Sequence, residues 1–253
     1  MKVVVILGSP RRGHTHALVE RIAAALGVDV TLELVRLSEL DLQPCRGCYA
    51  CQSRGEGLCP LKDDLLATVE RMKAADGVIF ASPTYTANVS GLMKAFMDRL
   101  AWTAHRPPFL GKPAMLVSTA SADASGALRA LRWFRYPGFE IVAELAESAW
   151  PSPRIEWRRG ASDELRLRRA ALRFRHAMQH PTRELSLAQV LRFNMMKITA
   201  VTDPWFFRAD TAYHESIDAL GFHVPAWKKR IGEAVFLVGA RWLASRTGPR
   251  PRR

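Results

Sequence analysis

The stretch "KVVVILGSPRRGHTHALVERIAAALG" (2–27) decides the fold. Its first part, "KVVVIL" (2–7), is a continuous β-branched apolar run closed by Gly8, the pattern of a strand buried on both faces. Its last part, "THALVERIAAALG" (15–27), has apolar residues at helical spacing and ends in a glycine suited to a helix C-cap. Between them lies "GSPRRGHTH" (8–16). A loop that leaves a buried strand and opens a helix turns backbone N–H groups toward whatever sits at the helix N-terminus, which favours an anion. Ser9 and Thr15 add hydroxyls, and Arg11 and Arg12 can neutralise a phosphate. The loop is neither the Gly-x-Gly-x-x-Gly dinucleotide fingerprint nor a Walker A loop. It reads as a cradle for one terminal phosphate, to which His14 can also donate.

The same alternation continues. Strands are expected at 28–37, 77–82, 112–120 and 139–148, and helices at 63–75, 90–102, 125–134 and 162–179, the last capped by Ser162. Five strands alternating with five helices give an α/β fold, a five-stranded parallel sheet with helices on both faces. Ligands of such folds bind at the C-terminal strand ends, where strand order reverses. The loops there are therefore the informative ones. In "ASPTYTANVSGLMKAFMDR" (81–99), Pro83 fixes the backbone while Thr84, Tyr85, Thr86 and Asn88 offer hydroxyls and an amide. In "STASADASG" (118–126), Thr119, Ala120 and Ser121 are small and leave room for a planar group.

Residues 181–253 break the alternation and read as a helical extension of a 1–180 domain. Helices are expected at 186–201, 211–221 and 225–246, and the tail "RTGPRPRR" (246–253) reads as disordered. The helix at 225–246 pairs Lys228, Lys229 and Arg230 with a Val/Phe/Leu/Trp face. That face either packs on the parent domain or a partner copy, or makes peripheral contact with a membrane surface. The net charge of +13 is uneven: residues 1–126 hold 14 Lys/Arg and 12 Asp/Glu (+2), while 127–253 hold 23 and 12 (+11). The basic residues are scattered and no nucleic-acid motif accompanies them, so no nucleic-acid partner is expected. The apolar run at the N-terminus is too short for a signal peptide, which makes a cytoplasmic protein the expectation.

Four cysteines, Cys45, Cys48, Cys51 and Cys59, are the only ones in the chain, and all fall within "PCRGCYACQSRGEGLCPLKDD" (44–64). In a reducing compartment such clustering points to metal or redox chemistry before disulfides. Gly47 and Gly55 let the backbone fold back. Four thiolates in tetrahedral array would hold zinc, although zinc usually takes two separated pairs. Thiols without a metal are the third reading. Asp63 and Asp64 are expected to open the next helix rather than to act in catalysis.

With these residues in view, "GSPR…T", "ASPTY…SGLMKAFMDR" and the strand–helix order resemble the NADPH-dependent FMN reductase branch of the flavodoxin-like superfamily, over about residues 1–150. The resemblance implies a flavodoxin-like sheet of order 2-1-3-4-5 and non-covalent FMN. The FMN phosphate would lie on Ser9, Arg11, His14 and Thr15 and its ring against 83–88 and 119–121. His14 departs from the family, which often has asparagine there. The Cys-x2-Cys-x2-Cys-x7-Cys spacing resembles the iron–sulfur flavoproteins, in which four such thiolates hold a [4Fe–4S] cluster near the flavin. The implied activity is transfer of electrons from NADPH or NADH through FMN to a quinone, another flavin or another small acceptor. The alternative is an electron carrier serving a protein partner. No catalytic side chain is needed, since the flavin carries the chemistry, and no Ser/His/Asp or paired-carboxylate arrangement is found. A homodimer or tetramer is expected.

Overall fold

The structure is a computed structural model that describes residues 1–150, 160–215 and 217–247. Residues 248–253 of the basic tail lie outside the described residues. The chain divides into two compact units. The first comprises Met1–Arg46, Leu61–Ala101 and Pro107–Thr182; the second comprises Gly47–Pro60, Trp102–Arg106 and the chain from Arg183 onward.

The first unit is built on parallel strands β1 (Lys2–Leu7), β2 (Thr31–Arg36), β3 (Gly77–Tyr85), β5 (Pro113–Ala120) and β6 (Glu140–Ser148). They lie in the order β2-β1-β3-β5-β6, the expected 2-1-3-4-5 path. The sheet has six strands rather than five, because the two-residue β4 (Asn88–Val89) turns back antiparallel on the end of β3. A two-residue strand has no periodicity to read, which is why the sequence does not reveal it.

Every residue from Val3 to Leu7 is fully buried. Val3, Val5 and Leu7 pack with Leu18, Ile22 and Leu26 of α1 (His14–Leu26) and with Leu167, Ala171 and Phe174 of α6 (Ala161–Gln179). The alternate positions Val4, Ile6 and Phe80 are buried as well. Each such side chain contributes about 1.5–3 kcal/mol. The other helices of the unit are α3 (Leu65–Ala74), α4 (Gly91–Arg99) and α5 (Ser125–Leu131). Ser90 caps α4 by accepting from the Met93 N–H at 3.2 Å.

Two helix starts differ from expectation. Ser162 lies inside α6, and the start is set instead by Asp163, whose carboxylate accepts from the Gly160 N–H at 3.0 Å. The helix expected from Asp63 begins at Leu65, because Asp63 and Asp64 are engaged elsewhere.

The second unit contains α2 (Ala50–Ser53), α7 (Leu187–Thr202), α8 (Arg208–Tyr213) and α9 (Ala226–Arg246). α7 is closed by a capping box: Ser186 Oγ accepts from the Gln189 N–H at 3.3 Å, and Gln189 Oε1 accepts from the Ser186 N–H at 2.8 Å. Helices α7 and α9 touch through small residues, since a Cβ built on Gly232 would lie 2.4 Å from Asn194 Nδ2.

Candidate functional site

The C-terminal ends of β1, β3 and β5 converge in the first unit, and a set of hydroxyls links them. Helix α1 starts without a side-chain cap and has no acid in its first turn, leaving its N-terminus open to an anion. Ser9 and Thr15 are buried there, whereas Arg11, Arg12 and His14 are exposed around them. Ser9 Oγ donates to the Arg11 carbonyl at 2.8 Å and so holds the loop curled. Thr15 Oγ1 lies 2.7 Å from Thr119 Oγ1 at the end of β5. Thr84 Oγ1 lies 3.0 Å from Ser118 Oγ, which donates to the Ser82 carbonyl at 2.9 Å. Ser82 Oγ accepts from the Ser90 N–H, and Ser90 Oγ donates to the Gly8 carbonyl at 2.6 Å. The chain runs from the phosphate-type loop to the β3 loop, so the three loops have a fixed relation. Ser82, Ser90 and Ser118 were not expected as contributors; a serine in a buried strand or at a helix cap carries no signal of its network in sequence alone.

Tyr85 and Asn88 are exposed, and Thr86 and Ala87 between them have φ of 50° and 55°. Two central residues at positive φ form a two-residue hairpin loop of the primed kind, ordinarily Asn-Gly or Asp-Gly. Holding a β-branched threonine there costs on the order of 1–3 kcal/mol. What holds it lies opposite: a Cβ on Gly126 would fall 1.7 Å from the Ala87 carbonyl oxygen, so only glycine lets α5 meet the hairpin tip. Pro83 is buried, Asn88 Oδ1 accepts from the Val89 N–H at 2.8 Å, and Ala120 and Ser121 stand at the open end of β5. The structure thus brings Ser9, Thr15, Thr84 and Thr119 into one hydroxyl-lined end of the sheet. It leaves Arg11, His14, Tyr85, Thr86, Asn88 and Ser121 exposed around it.

The cysteines are placed differently. Cys45 and Cys48 are exposed, Cys51 and Cys59 are half-buried, and none is in a disulfide. Gly47 and Gly55 have φ of 64° and 103°, as the fold-back required. Among the described residues, no group of three or more Cys, His, Asp or Glu is arranged to hold a metal ion.

The acids after Cys59 act as pins. Asp63 is paired with Arg99, both side chains buried, and accepts from the N–H groups of Gln43 and Leu65. Burial alone would raise the Asp63 carboxyl; Arg99 and those N–H groups outweigh it and hold it below the ordinary range. Asp64 accepts from the Asp41 N–H at 2.9 Å, and its own N–H donates to the Asp41 carbonyl at 3.0 Å. The two carboxylates therefore fix the backbone that enters the cysteine loop.

Within the second unit, Arg106 donates to the Cys51 carbonyl and to Glu56, each at 2.8 Å, and pairs with buried Asp210. His105 Nδ1 lies 2.9 Å from Asp210 Oδ2, and its Nε2 lies 3.2 Å from Gln52 Nε2. His214 is buried and held through Nε2 to the His105 carbonyl at 2.8 Å; burial lowers its pKa to about 4. This cluster joins residues far apart in sequence, so no spacing announces it.

A parallel sheet of this order, with an anion-accepting loop after β1 and hydroxyl-bearing loops after β3 and β5, defines a flavodoxin-like protein. Residues 1–137 match the family described as NADPH-dependent FMN reductase, and the chain belongs to that family. An iron–sulfur flavoprotein of Methanocaldococcus jannaschii is 42% identical over 101 residues, 39% of this chain and 51% of the relative. A second iron–sulfur flavoprotein of that organism is 36% identical over 150 residues, 57% of this chain and 73% of the relative. Of the first relative and several further iron–sulfur flavoproteins, the chain spans about half the length. The crystal structure of RosB with bound 8-demethyl-8-formylriboflavin 5′-phosphate shares the fold, with a TM-score of 0.56 at 15% identity, covering 89% of this chain and 92% of that one.

Proposed function

We propose that the protein is an FMN-dependent NAD(P)H oxidoreductase that passes electrons from a nicotinamide cofactor to a quinone, a flavin or another small acceptor. One observation carries this reading: the uncapped N-terminus of α1 and the buried hydroxyls of Ser9, Thr15 and Thr119 lie together at one end of the sheet within the family-matched segment. The residues fit a flavin mononucleotide. Ser9, Thr15 and the first-turn N–H groups of α1 would take the phosphate, with Arg11 and His14 closing over it. The 83–88 hairpin and residues 119–121 would flank the ring. Bound FMN supplies hydride acceptance and one- or two-electron release. The chain's own residues bind and orient; none is asked to move a proton. A homodimer or tetramer working in the cytoplasm is part of the same proposal.

The test is an anaerobic absorption spectrum of the purified protein, followed by NADPH or NADH. Flavin bands that bleach with either nucleotide support the reading. A colourless protein that does not take up added FMN overturns it.

The cysteine spacing and the identity with iron–sulfur flavoproteins favour a second reading, an electron carrier holding FMN and a [4Fe–4S] cluster. Among the described residues no group of three or more Cys, His, Asp or Glu is arranged to hold a metal ion, and no step is assigned to a cluster. A broad absorption that dithionite removes, beyond the flavin bands, would favour this second reading.

A further inference from the structure

Helix α9 is apolar on two sides. One side meets α7: Gly232 abuts Asn194 and Val190, Gly239 abuts Ile198, and Lys197 Nζ lies 5.4 Å from the Phe236 ring centroid. The other side is bare. Trp227 is 55% exposed, Ile231 40%, Val238 69% and Trp242 61%. At about 100° of turn per residue these four side chains fall within roughly 60° of arc, a stripe about 23 Å long. Packing on α7 within the second unit therefore accounts for one of the apolar sides of α9 and leaves the other open to water.

We propose that this stripe docks the protein on an anionic lipid surface, with α9 lying flat in the headgroup plane. Charge makes the argument. The helix carries five basic residues, Lys228, Lys229, Arg230, Arg241 and Arg246, against one acid, Glu233. Lys228 and Lys229 are paired with Glu184 and Asp218. Arg230 and Arg241 border the exposed stripe and have no acidic partner among the described residues. The Arg246 guanidinium lies 6.0 Å from the Trp242 ring centroid. A tryptophan at each end, with an apolar body and a polar N–H, suits the boundary between headgroups and acyl chains. No described helix is long and apolar enough to cross a membrane, so the geometry is that of a helix lying on the surface. A second copy of α9 laid on the stripe would set arginine and lysine against arginine and lysine, with the lone acid turned away, and like charges at an interface are disfavoured.

The experiment is co-sedimentation of the full chain with vesicles of phosphatidylcholine alone or of equimolar phosphatidylcholine and phosphatidylglycerol. The expected result is at least about tenfold more protein with the anionic vesicles, falling as salt is raised. Two surface variants, Trp227→Ser with Trp242→Ser, and Arg230→Glu with Arg241→Glu, should each abolish the preference while flavin content and melting temperature stay unchanged. Equal recovery with both vesicles overturns the proposal, as does wild-type binding by both variants. Sedimentation velocity supplies the other overturning result: an oligomer that Ile231→Asp with Val238→Asp splits into monomers would make the stripe a contact between copies.

Discussion

Thr15 Oγ1 and Thr119 Oγ1 meet at 2.7 Å, tying the first turn of α1 to the end of β5 across 104 residues of sequence. Both threonines are buried, and one hydroxyl must donate to the other. The hydroxyl that donates keeps only lone pairs and the one that accepts keeps its proton, so the pair has one proton left for an anionic ligand at the helix N-terminus. Thr15→Val keeps the shape and removes the hydroxyl. It is expected to weaken FMN binding about 5- to 15-fold, the worth of about 1–1.5 kcal/mol for one hydrogen bond. Quenching of FMN fluorescence during titration measures this.

How far this was readable in sequence follows from range. The strand at 2–7, the loop at 8–16 and the helix after it are set by neighbours in the chain, and they stand where the pattern put them. Ser9, Thr15, Thr84 and Thr119 stand out in sequence because they lie in the loops that follow buried strands, where ligands of parallel sheets bind. The Thr84–Ser118–Ser82 linkage was not legible, since a serine inside "GVIFAS" looks like any small buried residue. Asp63 misled for a different reason: acids before a helix suit its dipole, and only the fold reveals that Arg99, 36 residues on, has claimed one of them.

The hairpin tip depends on Gly126. An alanine there would put its methyl group 1.7 Å from the Ala87 carbonyl oxygen, a contact that only backbone movement relieves. Gly126→Ala should lower stability by about 1–3 kcal/mol. It should also reduce FMN affinity, because Thr84–Asn88 move with the tip. Urea midpoints of the apoprotein and FMN titrations read the two effects separately, and a variant with wild-type values for both would show that α5 and the hairpin separate freely.

The Asp63–Arg99 pair sets an acid limit. Asp63 titrates below its unfolded value, so its contribution is present above about pH 4 and disappears as pH falls through the lower folded pKa. Asp63→Asn should cost about 3–5 kcal/mol at neutral pH, because Arg99 is left buried beside an uncharged partner. The same variant should lose less stability than the parent on acidification to pH 3. Urea unfolding at neutral pH and at pH 3 to 5 tests both statements.

His214 works over a higher pH window. Burial holds its pKa at about 4, below the 6.5 of an exposed imidazole, so the unfolded chain takes up a proton first as pH drops. Stability from the neutral form is complete above about pH 6.5 and declines between there and pH 4, by roughly 3 kcal/mol at most. Limited proteolysis across that range should cleave the second unit faster as pH falls. His214→Gln should flatten the dependence, whatever its effect at neutral pH.

Arg106 governs access to the cysteine loop. Its guanidinium holds the Cys51 carbonyl and Glu56 on one side and pairs with Asp210 on the other, so the loop from Tyr49 to Cys59 opens only when those bonds break. Half-buried Cys51 and Cys59 should therefore alkylate through local opening, whereas exposed Cys48 should react without it. Arg106→Lys keeps the charge beside Asp210 but cannot span three acceptors at once. A loss of about 1 kcal/mol in local stability should speed alkylation of Cys51 and Cys59 about fivefold and leave Cys48 unchanged. Peptide mapping after brief iodoacetamide treatment separates the thiols. Equal acceleration at all three would mean that the whole unit had loosened, and no acceleration would mean that Arg106 is a passenger in the loop's conformation.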